Sequence, residues 1–491
     1  MIGATRRSLG RVFVAVAVAV FGAVLIRCAV RGVGGSDQAG YANTARDIAA
    51  GRIVLPVAGL AELGLDPNWA PVFTPLAHEA GPRPATMVPY YPPGFPLHLA
   101  AAAAIGGWES APFVVSPVAA LLCLSLTYVL GREMGLSKGL ALCGAVVLGA
   151  WDVFLFHAIQ PLSDVAAALW ATAAVVAALR ARRRRGWALA SGAAFGMAVL
   201  VRPTNALLAV ALAFALPWRT AELALFAAGG LPFAGFYGAW NRAAFGSPLK
   251  TGYTHQFAGE FALANFAARF GRYGSQLAME LSPLVPLGGL ALAADRRVAA
   301  RDRAVLLAWF GAIFLVYCFW GPSDNWTYAR YLLPVAPPLI VGFLLVVRDL
   351  AARLSARGRI IAIGAMVAIV VVCEILTDRH YTPLRAAPGE AVYPLACRAL
   401  AAGSDGRPTL GVSMAFSAAL RYYTDVVPVR YDFLTPEQFA ILRQRADERG
   451  WRMTAILLPF EVPQAIAKVP GPWVFLGNVQ RAGLWELPPG P

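Results

Sequence analysis

The chain has 491 residues, of which 58% are apolar and 14% charged, with a mean hydropathy of +0.59. Soluble chains carry roughly 25% charged residues, so this composition excludes a disordered protein, a collagen and a disulfide scaffold, and disfavours a wholly soluble enzyme. The net charge is +15. Because the basic residues lie mostly in short loops between apolar runs, they indicate membrane topology rather than nucleic-acid binding.

Apolar runs long enough for membrane helices recur along the first three quarters of the chain. The first, residues 12–30, follows a basic segment and is interpreted as an uncleaved span that starts in the cytoplasm. Further spans are predicted at 112–130, 138–156, 164–180, 187–201, 204–217, 222–240, 276–293, 303–320, 331–348 and 359–376. With about 11 spans, each loop predicted to be cytoplasmic carries Lys or Arg, as the positive-inside rule requires, and the C-terminus lies outside.

Two long segments are predicted to lie outside the membrane. One is loop 31–111, in which residues 95–107 are too short to cross and are assigned to a helix at the membrane surface or re-entering it. The other is the tail, 377–491, which is long enough for a small α/β domain. The fold class is therefore an α-helical polytopic membrane domain, 1–376, with a C-terminal extracytoplasmic α/β domain, 377–491.

The elements of the tail follow from local patterns. Thr435, Pro436 and Gln438 predict a helix start with a capping box. The predicted elements are a strand at 409–415, a helix at 435–450, a strand at 453–460 and a hairpin at 473–487.

Motifs for nucleotide hydrolysis, zinc proteolysis and serine hydrolysis are absent from the sequence, and its histidines and cysteines form no metal-ligand pattern. The remaining candidates are acidic residues at the predicted outer ends of spans. Asp37 begins an amphipathic segment after the first span, and Asp164 begins the fourth span. Spacing favours a helix cap at Asp37, and Asp164 has the same alternative. A general base at the outer face is the functional interpretation of both.

Basic residues are rare at the predicted outer ends, where Arg202, Lys250 and Arg330 occur. Arginine against the positive-inside trend favours anion or phosphate binding, with snorkelling to lipid headgroups as an equal alternative. Tyr91 lies in the Tyr90–Gly94 segment of the first loop. An interfacial aromatic belt is the common role of such residues, and a wall for a sugar is the alternative.

In this order, the elements resemble the GT-C superfamily of membrane glycosyltransferases, in particular its protein-mannosyltransferase-like and aminoarabinose-transferase-like branch. The resemblance covers most of residues 1–376. The residues that carry it are Ser36-Asp37 with the segment Tyr41–Gly51, Tyr91–Gly94, Pro161–Asp164, Arg202-Pro203, Phe245–Tyr253, and Arg330-Tyr331 with the prolines that follow.

The resemblance implies a polyprenyl-phosphate sugar donor and transfer on the outer face of a bacterial cell membrane. Asp37 would be the base that acts on the acceptor, and Asp164 the second acidic position. Arg202, Lys250, Arg330, Tyr331 and Tyr91 would contact substrate. Because the first loop has no acidic pair at Asp37-Gln38, the requirement for a divalent metal stays open and no metal ligand is assigned.

The prediction is a glycosyltransferase, hexosyl or pentosyl, that uses a lipid, glycan or protein acceptor in a membrane and binds no nucleic acid. A transporter or flippase for a lipid-linked substrate is the alternative. It is disfavoured because the sequence has no paired halves. A membrane anchor for the tail would not require so many spans.

Overall fold

The structure, a computed structural model, describes residues 2–254, 260–321, 328–377, 386–403 and 406–490. In chain order, the helices are α1 (Ile2–Cys28), α2 (Asp37–Ala49), α3 (Ala70–Phe73), α4 (Gly94–Gly106), α5 (Val115–Glu133), α6 (Lys138–Ala150), α7 (Asp152–Ala158), α8 (Asp164–Ala181), α9 (Trp187–Val201), α10 (Ala209–Ala215), α11 (Thr220–Phe245), α12 (Phe266–Glu280), α13 (Leu284–Ala291), α14 (Ala300–Phe319), α15 (Ala336–Ala351), α16 (Ala356–Thr377), α17 (Ala386–Glu390), α18 (Val392–Ala402), α19 (Ser417–Tyr423), α20 (Pro436–Glu448) and α21 (Val462–Lys468). The strands are β1 (Leu55–Pro56), β2 (His78–Ala80), β3 (Thr86–Pro89), β4 (Thr409–Val412), β5 (Val427–Val429), β6 (Arg452–Leu457), β7 (Val474–Val479) and β8 (Ala482–Leu487).

The chain divides into two compact units. The first unit is helical and consists of Met1–Ala29, Val114–Phe236 and His255–Leu384. The second unit contains both sheets and consists of Val30–Phe113, Tyr237–Thr254 and Arg385–Pro491. The expected domain boundary at 376/377 stays a prediction. The second unit combines the first loop with the tail, because these two segments share one apolar core.

Among the described residues, six helices are long and apolar enough to cross a membrane, or eight if each of two bent pairs is one span. The polytopic membrane character predicted from the sequence is thereby supported, whereas the number of eleven spans stays a prediction. Shorter apolar helices lie at several of the other predicted spans. The 13-residue helix α4 is also short and apolar, and it overlaps residues 95–107, where a helix at the membrane surface is expected.

Two predicted spans are broken rather than continuous. The span expected at 138–156 bends by 71° between α6 and α7, where Trp151 is extended and the Asp152 side chain accepts a 2.7 Å bond from the next backbone N–H. The span expected at 276–293 bends by 113° between α12 and α13. Ser282 there has φ +57° and Pro283 follows it, so the backbone cannot continue one helix.

The second unit contains two sheets. The first loop forms a small antiparallel sheet in the order β1-β3-β2. The tail forms a five-stranded sheet in the order β5-β4-β6-β8-β7, with β4 parallel to both of its neighbours and the last two pairs antiparallel. The predicted helix, with its Thr435–Gln438 capping box, and the predicted strands and hairpin of the tail are confirmed.

Loop and tail are joined by a common core in the second unit. From the first loop, Leu63 and Phe73 contribute fully buried side chains, and from the tail Val412 and Phe439 do so. A backbone bond of 2.7 Å from Arg430 N–H to the Val72 carbonyl links the same segments. At about 25 cal/mol per Å² of buried apolar surface, such a core is the main stabilisation of the unit.

The small sheet carries a titratable group whose ionisation opposes folding. Burial raises the pKa of Glu79, in β2, from 4.5 to about 7. The folded state therefore holds its proton more tightly than the unfolded state, and stability is lost as pH rises from about 4.5 through about 7.

Glu79→Gln is thus expected to raise the apparent Tm of the purified protein at about pH 8 and to leave it unchanged at about pH 4, where the native side chain is also neutral. Glu62→Gln is the matched control, since Glu62 is an exposed carboxylate of the same loop. A variant less stable than the wild type at pH 8 would contradict the burial effect.

Candidate functional site

Asp37 is the first residue of α2 in the second unit. Gly35, with φ +55°, and Ser36 lead into the helix, and a carboxylate in the first turn interacts favourably with the helix dipole. Ser36 occupies the N-cap position and makes no capping side-chain bond. The cap position thus belongs to Ser36, and Asp37 is the first residue inside the helix.

The Asp37 carboxylate accepts a hydrogen bond from the Tyr91 hydroxyl. Ser36 Oγ lies 2.9 Å from the same hydroxyl oxygen, so it donates to it. Burial, followed by the charge of Asp37, raises the pKa of Tyr91 well above its ordinary value, which keeps the phenol protonated and a donor. Asp37 is only partly buried, so it is held by a tyrosine and still reaches solvent.

Close packing sets the position of the Tyr91 ring. Gly40, one turn into α2, lies beneath it: a Cβ at Gly40 would be 2.8 Å from Tyr91 Cε2 and 2.2 Å from the Ala77 Cβ. Only glycine leaves room for the ring at this distance. Tyr91 therefore contacts Asp37 in this unit, and its predicted contact with substrate stays a prediction.

Further tyrosines surround the pair. The Tyr41 ring centroid lies 4.7 Å from that of Tyr91, and Tyr90 lies 5.2 Å from both Tyr91 and Tyr253. Sequence reasoning assigned no role to Tyr41, Tyr90 or Tyr253, although Tyr41 and Tyr253 lie in segments that carried the resemblance and Tyr90 directly precedes one. Lys250 is exposed in the loop that leads to Tyr253.

Asp164 and Arg202 form the centre of a second cluster, in the first unit. Asp164 is the first residue of α8, and Arg202 lies where Pro203 ends α9. The Arg202 Nη2 donates to Asp164 Oδ1 over 2.6 Å, and Asp164 is 2% exposed. Ser163 holds the N-cap position without a capping bond, so Asp164 is also not a cap.

Arg330 and Tyr331 belong to the same unit. The Arg330 guanidinium carbon lies 5.1 Å from the Tyr331 ring centroid, and that of Arg202 lies 5.7 Å from the same centroid. Tyr331 stacks on Tyr317 at 5.3 Å, whose hydroxyl is 2.9 Å from Thr204 Oγ1. The structure therefore brings together Arg202, Arg330 and Tyr331, and the Asp164 carboxylate is bonded to Arg202.

His157, on α7, is a further member that sequence reasoning did not single out. Its Nδ1 bonds the Val153 carbonyl at 2.6 Å, and it is 1% exposed. It interacts electrostatically with Asp164, Arg202 and Arg330. A histidine directly after a predicted span, 138–156, was the available signal, since buried polar groups at membrane helices are costly unless they are used.

Among the residues that the structure describes, no group of three His, Cys, Asp or Glu side chains is arranged to hold a metal ion. The candidate clusters thus offer general-base chemistry through Asp37 in one unit and anion binding through Arg202 and Arg330 in the other.

Comparison with known proteins gives matches in structure alone. No family profile matches the sequence, and a search of curated protein sequences finds no match. ArnT from Cupriavidus metallidurans in the apo state superposes with a TM-score of 0.59 at 17% identity over 98% of both chains. The same protein bound to undecaprenyl phosphate superposes with a TM-score of 0.60 at 16% identity, over 96% of this chain and 98% of that one.

Two larger proteins also match. The oligosaccharyltransferase of Archaeoglobus fulgidus, tethered to an acceptor peptide, has a TM-score of 0.54 at 14% identity, over 96% of this chain and 74% of its own. The mycobacterial arabinofuranosyltransferase AftD has a TM-score of 0.53 at 15% identity, over 97% of this chain and 41% of its own. These matches, at identities of 14–17%, confirm the predicted resemblance in fold.

Proposed function

We propose that this protein is an integral membrane glycosyltransferase that moves a sugar from a polyprenyl-phosphate donor to an acceptor hydroxyl or amide on the outer face of the membrane. The observation that carries the proposal is the match over almost the whole chain to ArnT bound to undecaprenyl phosphate. The acceptor is a lipid, a glycan or a protein, and the sugar is a hexose or a pentose.

In the proposed reaction, Asp37 removes a proton from the acceptor nucleophile. A general base must reach its substrate, which fits a carboxylate that is partly exposed. The Tyr91 hydroxyl, bonded to Asp37, orients it. Because burial and the Asp37 charge raise the Tyr91 pKa, the phenol keeps its proton and remains the donor in this bond.

The leaving group is a polyprenyl phosphate, which needs positive charge and no general acid. Arg202 and Arg330 supply that charge, and Tyr331 lies against both guanidinium groups. Lys250 is a further candidate for the anion. Asp164 was predicted to be catalytic; its buried 2.6 Å pair with Arg202 favours holding that arginine in place.

The topology we propose has eleven spans, a cytoplasmic N-terminus and an extracytoplasmic tail, in the inner membrane of a bacterium. The basic residues of alternate loops support it. A flippase for a lipid-linked substrate is disfavoured for two reasons. The matched structures that cover nearly all of this chain include transferases, and a partly exposed carboxylate with two arginines suits sugar transfer.

Arg330→Ala is expected to raise the apparent KM for the donor about tenfold or more, since an arginine–phosphate contact is a strong charge-assisted bond. The acceptor KM is expected to change less than twofold. Steady-state transfer assays in membranes measure both values. Arg359→Ala, which removes an exposed arginine near the start of α16, is the control and leaves both unchanged. An unaltered donor KM in Arg330→Ala would remove Arg330 from the donor site.

A further inference from the structure

Helix α19 of the tail forms hydrogen bonds with the first loop both before α2 and along α2. Before α2, the Val33 N–H donates to the Tyr423 hydroxyl at 2.7 Å. In the middle of α2, the Asn43 side-chain amide donates to the Ala418 carbonyl at 2.9 Å. In the first loop between α3 and β2, the Leu76 N–H donates to Ser417 Oγ at 3.0 Å. Helix α19, seven residues long, therefore holds the segment that carries Asp37, and the pairs Val33–Tyr423 and Asn43–Ala418 lie 390 and 375 positions apart in the sequence.

The last turn of α2 is held by charge. Arg46 Nη1 donates to the Tyr422 carbonyl at 2.5 Å, and its guanidinium carbon lies 3.7 Å from the Tyr422 ring centroid. The next residue, Asp47, is 2% exposed and receives Arg421 Nη2 on both carboxylate oxygens, at 2.9 and 3.0 Å. A single guanidinium nitrogen, Nη2, therefore donates to both oxygens of this buried carboxylate, and such charge-assisted bonds are among the strong ones.

His78 lies beside both Asp47 and Arg421. Its Nε2 lies 3.3 Å from Arg421 Nη1 and 4.0 Å from Asp47 Oδ2, and its Nδ1 lies 3.3 Å from the Leu76 carbonyl. Burial works to raise the pKa of Asp47, but the neighbouring His78 and the Arg421 charge together lower it below its ordinary value. The Asp47 carboxyl therefore stays ionised throughout the neutral range.

The orientation of α2 matters at its other end. The helix has 13 residues and is about 20 Å long, so a small tilt at Asp47 moves Asp37 appreciably. Tyr91 packs against Gly40 without room for one methyl group, and its hydroxyl bonds Asp37. A displacement of about 1 Å in a reacting group lowers a rate by about 100-fold.

We infer that Arg421, acting through Asp47, is a positioning residue for Asp37. Helix α19 holds α2 at the angle at which Asp37 receives the Tyr91 hydroxyl, which gives the tail a part in the reaction. The role in catalysis rests on the proposed function, whereas the hold on α2 does not.

The test compares Arg421→Met and Arg421→Lys with the wild type by hydrogen exchange of residues 37–49 and by transfer kinetics. Arg421→Met is expected to increase exchange in that segment and to lower kcat about 100-fold, with the donor KM within twofold. Arg421→Lys keeps the charge beside Asp47 and loses the second guanidinium nitrogen, which lies against His78, so it recovers part of both signals. It also keeps the test decisive if the methionine variant does not fold.

Arg449→Met is the matched control, since Arg449 is a tail arginine that bonds the first loop, at the Glu62 carbonyl, away from α2. It is expected to change neither signal. The inference would be overturned if hydrogen exchange in α2 of both Arg421 variants equalled that of the wild type. It would also be overturned if the donor KM rose by the same factor by which kcat fell. If the wild type transfers no sugar, the proposed function fails, and the exchange data still decide whether Arg421 positions α2.

Discussion

Asp37→Asn is expected to lower sugar transfer by about 10²- to 10⁴-fold, the contribution typical of a positioned general base. Asparagine has almost the size of aspartate and keeps an oxygen that accepts the Tyr91 hydroxyl, so the fold of the second unit is retained. The expected change is in kcat, with donor KM nearly constant. Initial rates in membranes containing equal amounts of each protein measure this effect.

Asp66→Asn is the control for Asp37→Asn. Asp66 is an exposed aspartate of the same loop, and it also precedes a helical turn, where it accepts the Asn68 N–H at 2.8 Å. Its replacement is expected to leave transfer unchanged. Normal turnover by Asp37→Asn would remove this carboxylate from the mechanism.

The second large effect is expected at Asp164, and in a different kinetic constant. Removing one member of a buried ion pair costs about 3–5 kcal/mol, because the other charge is left without compensation. Asp164→Asn and Arg202→Met are each expected to lower the apparent Tm and to raise the donor KM at least about tenfold. In both the apparent Tm and the donor KM, the double variant is expected to be no worse than the more impaired of the two single variants, since both changes remove the same interaction.

Asp302→Asn provides a matched comparison, since the Arg182–Asp302 pair has the same 2.6 Å separation but both side chains are about a quarter exposed. Exposed pairs contribute little, about 0–1 kcal/mol, so neither the Tm nor the donor KM should change much. A fall in kcat with constant donor KM in Asp164→Asn would instead make Asp164 a second base.

Local signals in the sequence predicted local structure well. The capping box at Thr435 and Gln438 is formed within one turn of helix, and the predicted helix begins there. Strand β5, in contrast, was not predicted, since its three residues include Pro428. Its place at the edge of the sheet explains how proline is tolerated.

The breaks in membrane helices were less accessible. Pro283 offered a signal at the bend after α12, but the left-handed Ser282 that begins it did not. At Trp151 itself neither proline nor glycine marks the bend, and the nearby Gly149 and Asp152 do not by themselves specify one in an otherwise apolar run. Hydropathy measures whether a segment is apolar, and it carries no information on the direction of the chain within that segment.

Residues that could act were found more readily than their partners. Asp37 and Arg202 were selected from type and position alone. Their contacts, with Tyr91 at a separation of 54 residues and with Asp164 at 38, depend on tertiary packing. The separation of 374 residues between Asp47 and Arg421 lies still further beyond pattern reasoning, so both residues were missed.

The most direct test of the central claim is transfer by the purified wild type, in vesicles, from a panel of radiolabelled polyprenyl-phosphate sugars, with movement of the same donors across the bilayer measured in parallel. The proposed function predicts that label from at least one donor appears on an acceptor, with release of polyprenyl phosphate. Donor that crosses the bilayer intact, with no label transferred from any member of the panel, would contradict it.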